Sequence, residues 1–252
     1  MRSLRQPRSS QTSLRLQWRS QTSLRLPWRL WTSLRLHRLS QRPKPTTPSP
    51  SVPRRPIAVA ITGGIGAGKS TLLAALRARG TATVSSDEIV HHLLAEDVDV
   101  RLALVERLGD SVLGADGRPD RARIAERVFG DRVLLRWLEG LLHPVVSREY
   151  LAWRERLAGL TDPPDVCATE VPLLYEVGAE VRFDRVVVVT APRQLREQRR
   201  RVPPDDRESR LLPERDKVAR ADFRFVNTGD FDAVDAFAVE LLATLRAEHA
   251  AV

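Results

Sequence analysis

The segment AITGGIGAGKST, residues 60–71, limits what this chain can become more than any other. The run before it, RRPIAVAI, is apolar, β-branched and bounded by proline and glycine, the pattern of a short strand buried on both faces of a parallel sheet. The run after it, STLLAALRARG, has helical spacing. Between them, Gly63 to Ser70 fits G-x-x-x-x-G-K-[ST]. Glycines there let successive backbone N–H groups turn toward phosphate oxygens with no Cβ in the way. A helix opening near Gly68 adds its positive N-terminal end. Lys69 supplies a cation for β- and γ-phosphates, and the Ser70 hydroxyl is a magnesium ligand. The chain has only three lysines, Lys44, Lys69 and Lys217, against 38 arginines. Where arginine is used almost everywhere, a lysine at position 69 is demanded by chemistry. A plain glycine-rich turn is the competing reading, and the strand before and helix after argue against it.

The same alternation continues. Strands are expected at 81–86, 165–171, 184–190 and 223–227. Helices are expected at about 69–79, 87–95, 98–108, 121–128, 131–157, 192–201, 214–220 and 231–248. This is an α/β chain with a parallel five-stranded sheet covered on both faces, and ligands belong at the carboxyl ends of its strands. The helical block at about 91–158 is larger than one crossover needs and reads as an inserted subdomain.

The net charge of +9 belongs to a tail. Residues 1–56 hold 13 basic and no acidic residues, which leaves 28 basic and 32 acidic for the remainder. A nucleic-acid or membrane reading from whole-chain charge would rest on the tail alone. The tail contains SQTSLRLQWR, SQTSLRLPWR and LWTSLRLHRL in succession, then the proline-rich linker PKPTTPSPSVPRRP, and is expected to lack fixed structure. It reads as a targeting peptide, as a basic arm for nucleic acid or anionic lipid, or as an untranslated stretch upstream of a start near Val52. The longest strongly apolar stretch, VVVV at 186–189, is strand-sized, so no membrane span is expected. The single cysteine, Cys167, fits a reducing compartment; it lies within a strand and reads as inert.

Asp87 ends the second strand in VSSDEIVHHLL, on the face of the glycine cradle. A carboxylate there can accept a hydroxyl proton and orient that hydroxyl toward a γ-phosphate. The alternative is an N-cap for the following helix. The arginine-dense stretch from Pro192 to Asp222 can close over nucleotide, or be a solvated charged face. His91, His92 and His143 lack metal-ligand company; His143 in LLHPVV reads as a helix-breaking position or a substrate contact.

In this order, ITGGIGAGKST, VSSDEIVHHLL, DGRPDRARIAERVF, LHPVV, EVPLLYEVG, DRVVVV and KVARADFRFVNTG resemble the dephospho-CoA kinase family from about Ile57 onward. The resemblance implies a three-layer P-loop kinase fold (residues 57–252), with a helical CoA-binding insertion at about 91–158 and a lid at about 193–217. It implies transfer of the γ-phosphoryl of ATP to the ribose 3′-hydroxyl of dephospho-CoA, with Mg2+, as the last step of coenzyme A biosynthesis in the cytoplasm. It assigns ATP binding to Gly63, Gly64, Ile65, Gly66, Ala67, Gly68, Lys69, Ser70 and Thr71, with Asn227 near the adenine. It makes Asp87 the catalytic aspartate alongside Lys69, Arg200 and Arg207 the lid arginines, and His143, Pro144, Pro172, Leu173 and Leu174 the acceptor side. Ser85 and Glu170 depart from the family, which usually has aspartate at both places. No nucleic-acid or membrane partner is expected for the folded domain, which is expected as a monomer or small homo-oligomer. Another small-molecule P-loop kinase, a P-loop NTPase switch or nucleic-acid partner, and a site that no longer turns over are the other readings.

Overall fold

In the computed structural model, which describes residues 55–199 and 211–251, the apolar run before the glycines forms strand β1 (Ile57–Gly63) at the centre of a sheet. Its neighbours are β3 (Val166–Glu170) and β4 (Arg185–Thr190). Beyond them lie β2 (Ala82–Ser85) and β5 (Phe223–Val226), giving the order β2-β3-β1-β4-β5 with every pairing parallel. The expected arginine contacts of Arg200 and Arg207, and everything expected of residues 1–54, lie outside the described residues.

Alternation along β1 builds two cores. Val59 and Ile61 face helices α1 (Lys69–Ala78) and α8 (Phe231–Ala250), through Leu72, Leu76, Leu241 and Leu245. Ala58 and Ala60 face the helical block, together with Ile89, Leu104, Val146 and Trp153. The three inner strands β3, β1 and β4 are therefore apolar on both sides, as a buried parallel strand requires. Among the described residues no helix is long and apolar enough to cross a membrane.

Between β2 and β3 the chain builds α2 (Ser86–Glu96), α3 (Val98–Leu108), α4 (Arg121–Val128) and α5 (Arg132–Ala158). Asp97, Asp120 and Asp131 start α3, α4 and α5 by accepting backbone N–H groups of the first turn. The reading of His143 as a helix-breaking position is corrected: α5 runs unbroken through it, with Pro144 inside the helix. Proline removes the N–H that would reach the carbonyl four residues back and crowds that carbonyl with its ring. The residue four back is Gly140, which brings no side chain of its own, and Pro144 itself is exposed. Two short 3-10 turns, Asp110–Val112 and Ala179–Arg182, were not expected from the sequence. After β4 come α6 (Arg193–Arg199) and α7 (Glu214–Val218).

The register brings chemistry to one edge. Ser85 pairs with Glu170, Ile61 with Glu170, Gly63 with Val189, and Thr190 with Val226. The carboxyl ends of β1, β2 and β3 thus open on the same side, where the glycine-rich turn also lies.

Candidate active site

The turn from β1 into α1 has no room for side chains. Gly63 has φ 145°, and a Cβ there would meet the Val189 carbonyl oxygen at 2.0 Å. Gly68 has φ 92° and stands at the N-cap of α1; a Cβ there would come within 2.0 Å of Asn227 Nδ2. Both positions accept glycine alone. Asn227 is 1% exposed, donates from Nδ2 to the Ala67 carbonyl (3.0 Å), and accepts the Gly229 N–H at Oδ1 (2.9 Å). In this structure its amide clamps the turn from behind. Ala67 is buried, whereas Ile65 and Ser70 are exposed.

Lys69 Nζ donates to the carbonyls of Gly63 (3.3 Å) and Gly64 (3.1 Å), so its charge is held over the turn. The side chain is half-buried at the turn. That desolvation lowers its pKa, against the opposing pull of Glu170. Glu170, at the end of β3, is 6% exposed and accepts from Ser70 Oγ at 3.3 Å. Burial raises its pKa, while Lys69 and the Ser70 hydroxyl work the other way. Glu170 was left out of the residues assigned from sequence. The signal available was its place before PLL; its approach to Ser70 depends on the sheet register.

Asp87 is exposed in the first turn of α2. Its alternative reading as an N-cap does not hold. Ser85 is the cap: its Oγ accepts the Glu88 N–H (3.0 Å), and Glu88 accepts the Ser85 N–H (2.8 Å), a complete capping box. Ser86 donates from Oγ to the Glu170 carbonyl (2.9 Å), tying the helix start to β3. Among the described residues the Asp87 carboxylate is therefore spare of the capping role.

Asp87 opens on a mostly apolar pocket of about 290 Å³ between α2, α5 and the turn after β3. His143, Pro172 and Leu173 line it, with Val90, Tyr150 and Val177 among the other walls. His143 is half-buried, and desolvation lowers its pKa from 6.5, which keeps the imidazole neutral at pH 7. The structure thus brings Asp87, His143, Pro172 and Leu173 together. Pro144 and Leu174 are not part of this wall; Leu174 is fully buried in the core beneath it.

Two arginines not singled out from sequence stand at the phosphate turn. A Cβ on Gly64 would lie 3.1 Å from Arg196 Nη1, and one on Gly68 would lie 3.4 Å from Arg199 Nη1. Among the described residues Arg196 Nε is buried without a hydrogen-bond partner, and Arg196 Nη1 lies 3.8 Å from Glu214. Within a run so rich in arginine, nothing in the sequence marks these two. Cys167 is buried in β3 and its thiol is pushed up to about 12, which leaves it unreactive.

Residues 57–232 match the family model described as dephospho-CoA kinase. The chain is 40% identical over 196 residues to a dephospho-CoA kinase of Anaeromyxobacter dehalogenans, covering 75% of this chain and 92% of that protein. It is 36% identical over 192 residues to one of Methylococcus capsulatus, covering 71% and 92%. Among solved structures, TT1252 from Thermus thermophilus is 33% identical with a TM-score of 0.60, covering 76% of this chain and 98% of that one. A dephospho-CoA kinase from Campylobacter jejuni, 22% identical with a TM-score of 0.55 over 75% and 97%, shares the fold.

Proposed function

The chain belongs to the dephospho-CoA kinase family, and from that premise we propose how its own residues carry the reaction. The reaction is transfer of the γ-phosphoryl group of ATP to dephospho-CoA, the last step of coenzyme A biosynthesis. The observation that carries the assignment of roles is the spare Asp87 carboxylate, open to a pocket of its own and on the same sheet edge as the glycine turn.

ATP lies with its phosphates in the turn from Gly63 to Thr71, against inward N–H groups and the N-terminal end of α1. Lys69 reaches the β- and γ-phosphates once it leaves the Gly63 and Gly64 carbonyls. The acceptor enters the pocket beside α5, with Pro172, Leu173 and the neutral His143 along it. Its ribose hydroxyl gives its proton to Asp87 while its oxygen bonds to the γ-phosphorus. The bond from that phosphorus to the β,γ-bridging oxygen breaks, and ADP keeps the electron pair. The transition state is loose, so Asp87 contributes as much by orienting the hydroxyl as by taking the proton. Arg196 and Arg199 stand where they can meet charge on the transferring group; on sequence grounds Arg200 and Arg207 remain proposed partners in this.

Mg2+ is the proposed cofactor. The exposed Ser70 hydroxyl backed by the Glu170 carboxylate is a set of hard oxygen donors that suits it. Bound there with ATP, it would neutralise β,γ-phosphate charge. Asn227 supports ATP indirectly, by fixing Ala67 and Gly68. We further propose residues 57–252 as the kinase domain, about 91–158 as the insertion that holds CoA, and about 193–217 as the lid. The lone buried cysteine supports a cytoplasmic setting.

The test is to supply the full chain with Mg-ATP and dephospho-CoA and to identify the product. CoA formed one-for-one with ADP is expected. ADP released without CoA, or faster with adenosine or AMP than with dephospho-CoA, would overturn this reading.

A further inference from the structure

A second buried polar cluster lies beside the site and takes no part in the chemistry above. Lys217, in α7, is 2% exposed, and its Nζ lies 2.7 Å from Glu176 Oε1. The same oxygen accepts the Leu212 N–H at 3.0 Å. A buried ion pair is seldom retained for stability, because desolvation consumes most of the attraction. Its presence calls for another reason.

The position of Glu176 supplies one. It lies in the turn Pro172–Gly178, whose Pro172, Leu173 and Val177 line the acceptor pocket, while Glu176 itself does not. Arg220, just beyond α7, holds the same region twice: its guanidinium lies 4.3 Å from the Tyr175 ring centroid, and it pairs with Glu180. At the other end of α7, Glu214 faces Arg196 above Gly64. One short helix thus connects the wall of the acceptor pocket with the phosphate turn.

We propose that the Lys217–Glu176 pair is a positioning device for acceptor recognition: it fixes the Pro172–Gly178 turn so that Leu173 and Val177 hold dephospho-CoA against Asp87. This rests on the reading of the α5 pocket as the acceptor site. Neither residue lines the acceptor pocket or makes up the phosphate turn, so the larger effect falls on the acceptor, with the Lys217 charge acting on Lys69 only at a distance.

The test uses the full chain with Lys217→Met, Glu176→Gln and the double variant, measuring KM for dephospho-CoA, ATP affinity and thermal midpoint. Each single change leaves a buried charge uncompensated and lowers the midpoint; the double change is neutral and recovers it. Positioning predicts that the double variant still has its dephospho-CoA KM raised about tenfold, the scale of a small misplacement, with ATP affinity within about twofold of native. Recovery of both the midpoint and the KM would overturn the proposal and leave the pair a matter of stability. Should the double variant not fold, Glu176→Gln alone decides, since it keeps the side-chain shape and the acceptor for Leu212; a native KM there overturns the proposal. Val177→Trp separates the two readings. If it leaves the dephospho-CoA KM unchanged, the pocket reading falls and the proposal with it. If it raises the KM while the pair variants do not, the pocket stands and the positioning role falls.

Discussion

Glu170 reaches Ser70 from a buried position at the end of β3. Its raised pKa and the lowered pKa of Lys69 share one cause: both charges are taken from water before ATP arrives. The sign of the stability effect follows. A carboxyl whose folded pKa lies above 4.5 contributes stability that is fully present below 4.5 and lost as pH rises through the folded value. Glu170→Gln is therefore expected to gain thermal midpoint on the native chain as pH rises from 4.5 to neutrality. Mg-ATP affinity runs the other way, growing as Glu170 ionises, and Glu170→Gln should flatten that dependence. Parallel midpoint curves for the two proteins would show that burial does not govern this carboxyl. For Lys69→Ala, initial-rate kinetics should show kcat lower by at least about a hundredfold, the scale of losing one fixed electrostatic partner. A variant within tenfold of native would remove Lys69 from transition-state stabilisation.

At the scale of the element, the start of α2 decides whether Asp87 is free. Ser85 and Glu88 satisfy the helix end between them, so Ser85→Ala should cost about 1 kcal/mol. In a thermal melt that is a fall of about 2–4 °C for a domain of this size, and Ser85→Asp should avoid it because aspartate caps as well. An unchanged midpoint in Ser85→Ala would mean that the box adds nothing. Much of this scale was legible in advance. The phosphate turn declares itself because its residues are contiguous and their chemistry is local. The strands and long helices follow from periodicity. For Asp87 the residues alone left two readings, proton acceptor and helix cap, because Ser85, Ser86 and Asp87 all cap helices well; the hydrogen bonds give the cap to Ser85. Glu170, Arg196 and Arg199 stayed hidden because register and chain reversal, not sequence spacing, bring them to the turn. The helix expected at 131–157 is found as α5, and the helix-breaking reading of His143 fails because packing of Val145, Val146 and Tyr150 carries α5 through Pro144.

The described residues from Ile57 onward form a sheet with its chemistry at one end of the strands: the phosphate turn of β1, the Asp87 carboxylate after β2, and Glu170 with the acceptor wall after β3. Every residue placed in that arrangement lies between Gly63 and Asn227. A chain beginning at Val52 is accordingly expected to keep kcat and both KM values within about twofold of the full chain. A large loss in that assay would give the tail a part in catalysis. The central claim is that the two substrates meet at Asp87, and it can be tested in a single-turnover experiment. Native protein and Asp87→Asn, each saturated with Mg-ATP, are mixed with dephospho-CoA, and the rate of CoA formation is read beside ATP affinity. A rate lower by at least about a hundredfold with ATP affinity little changed is expected, the signature of losing a group that acts on the acceptor hydroxyl. A near-native rate in Asp87→Asn would contradict it and leave the pocket beside α5 without a catalytic group.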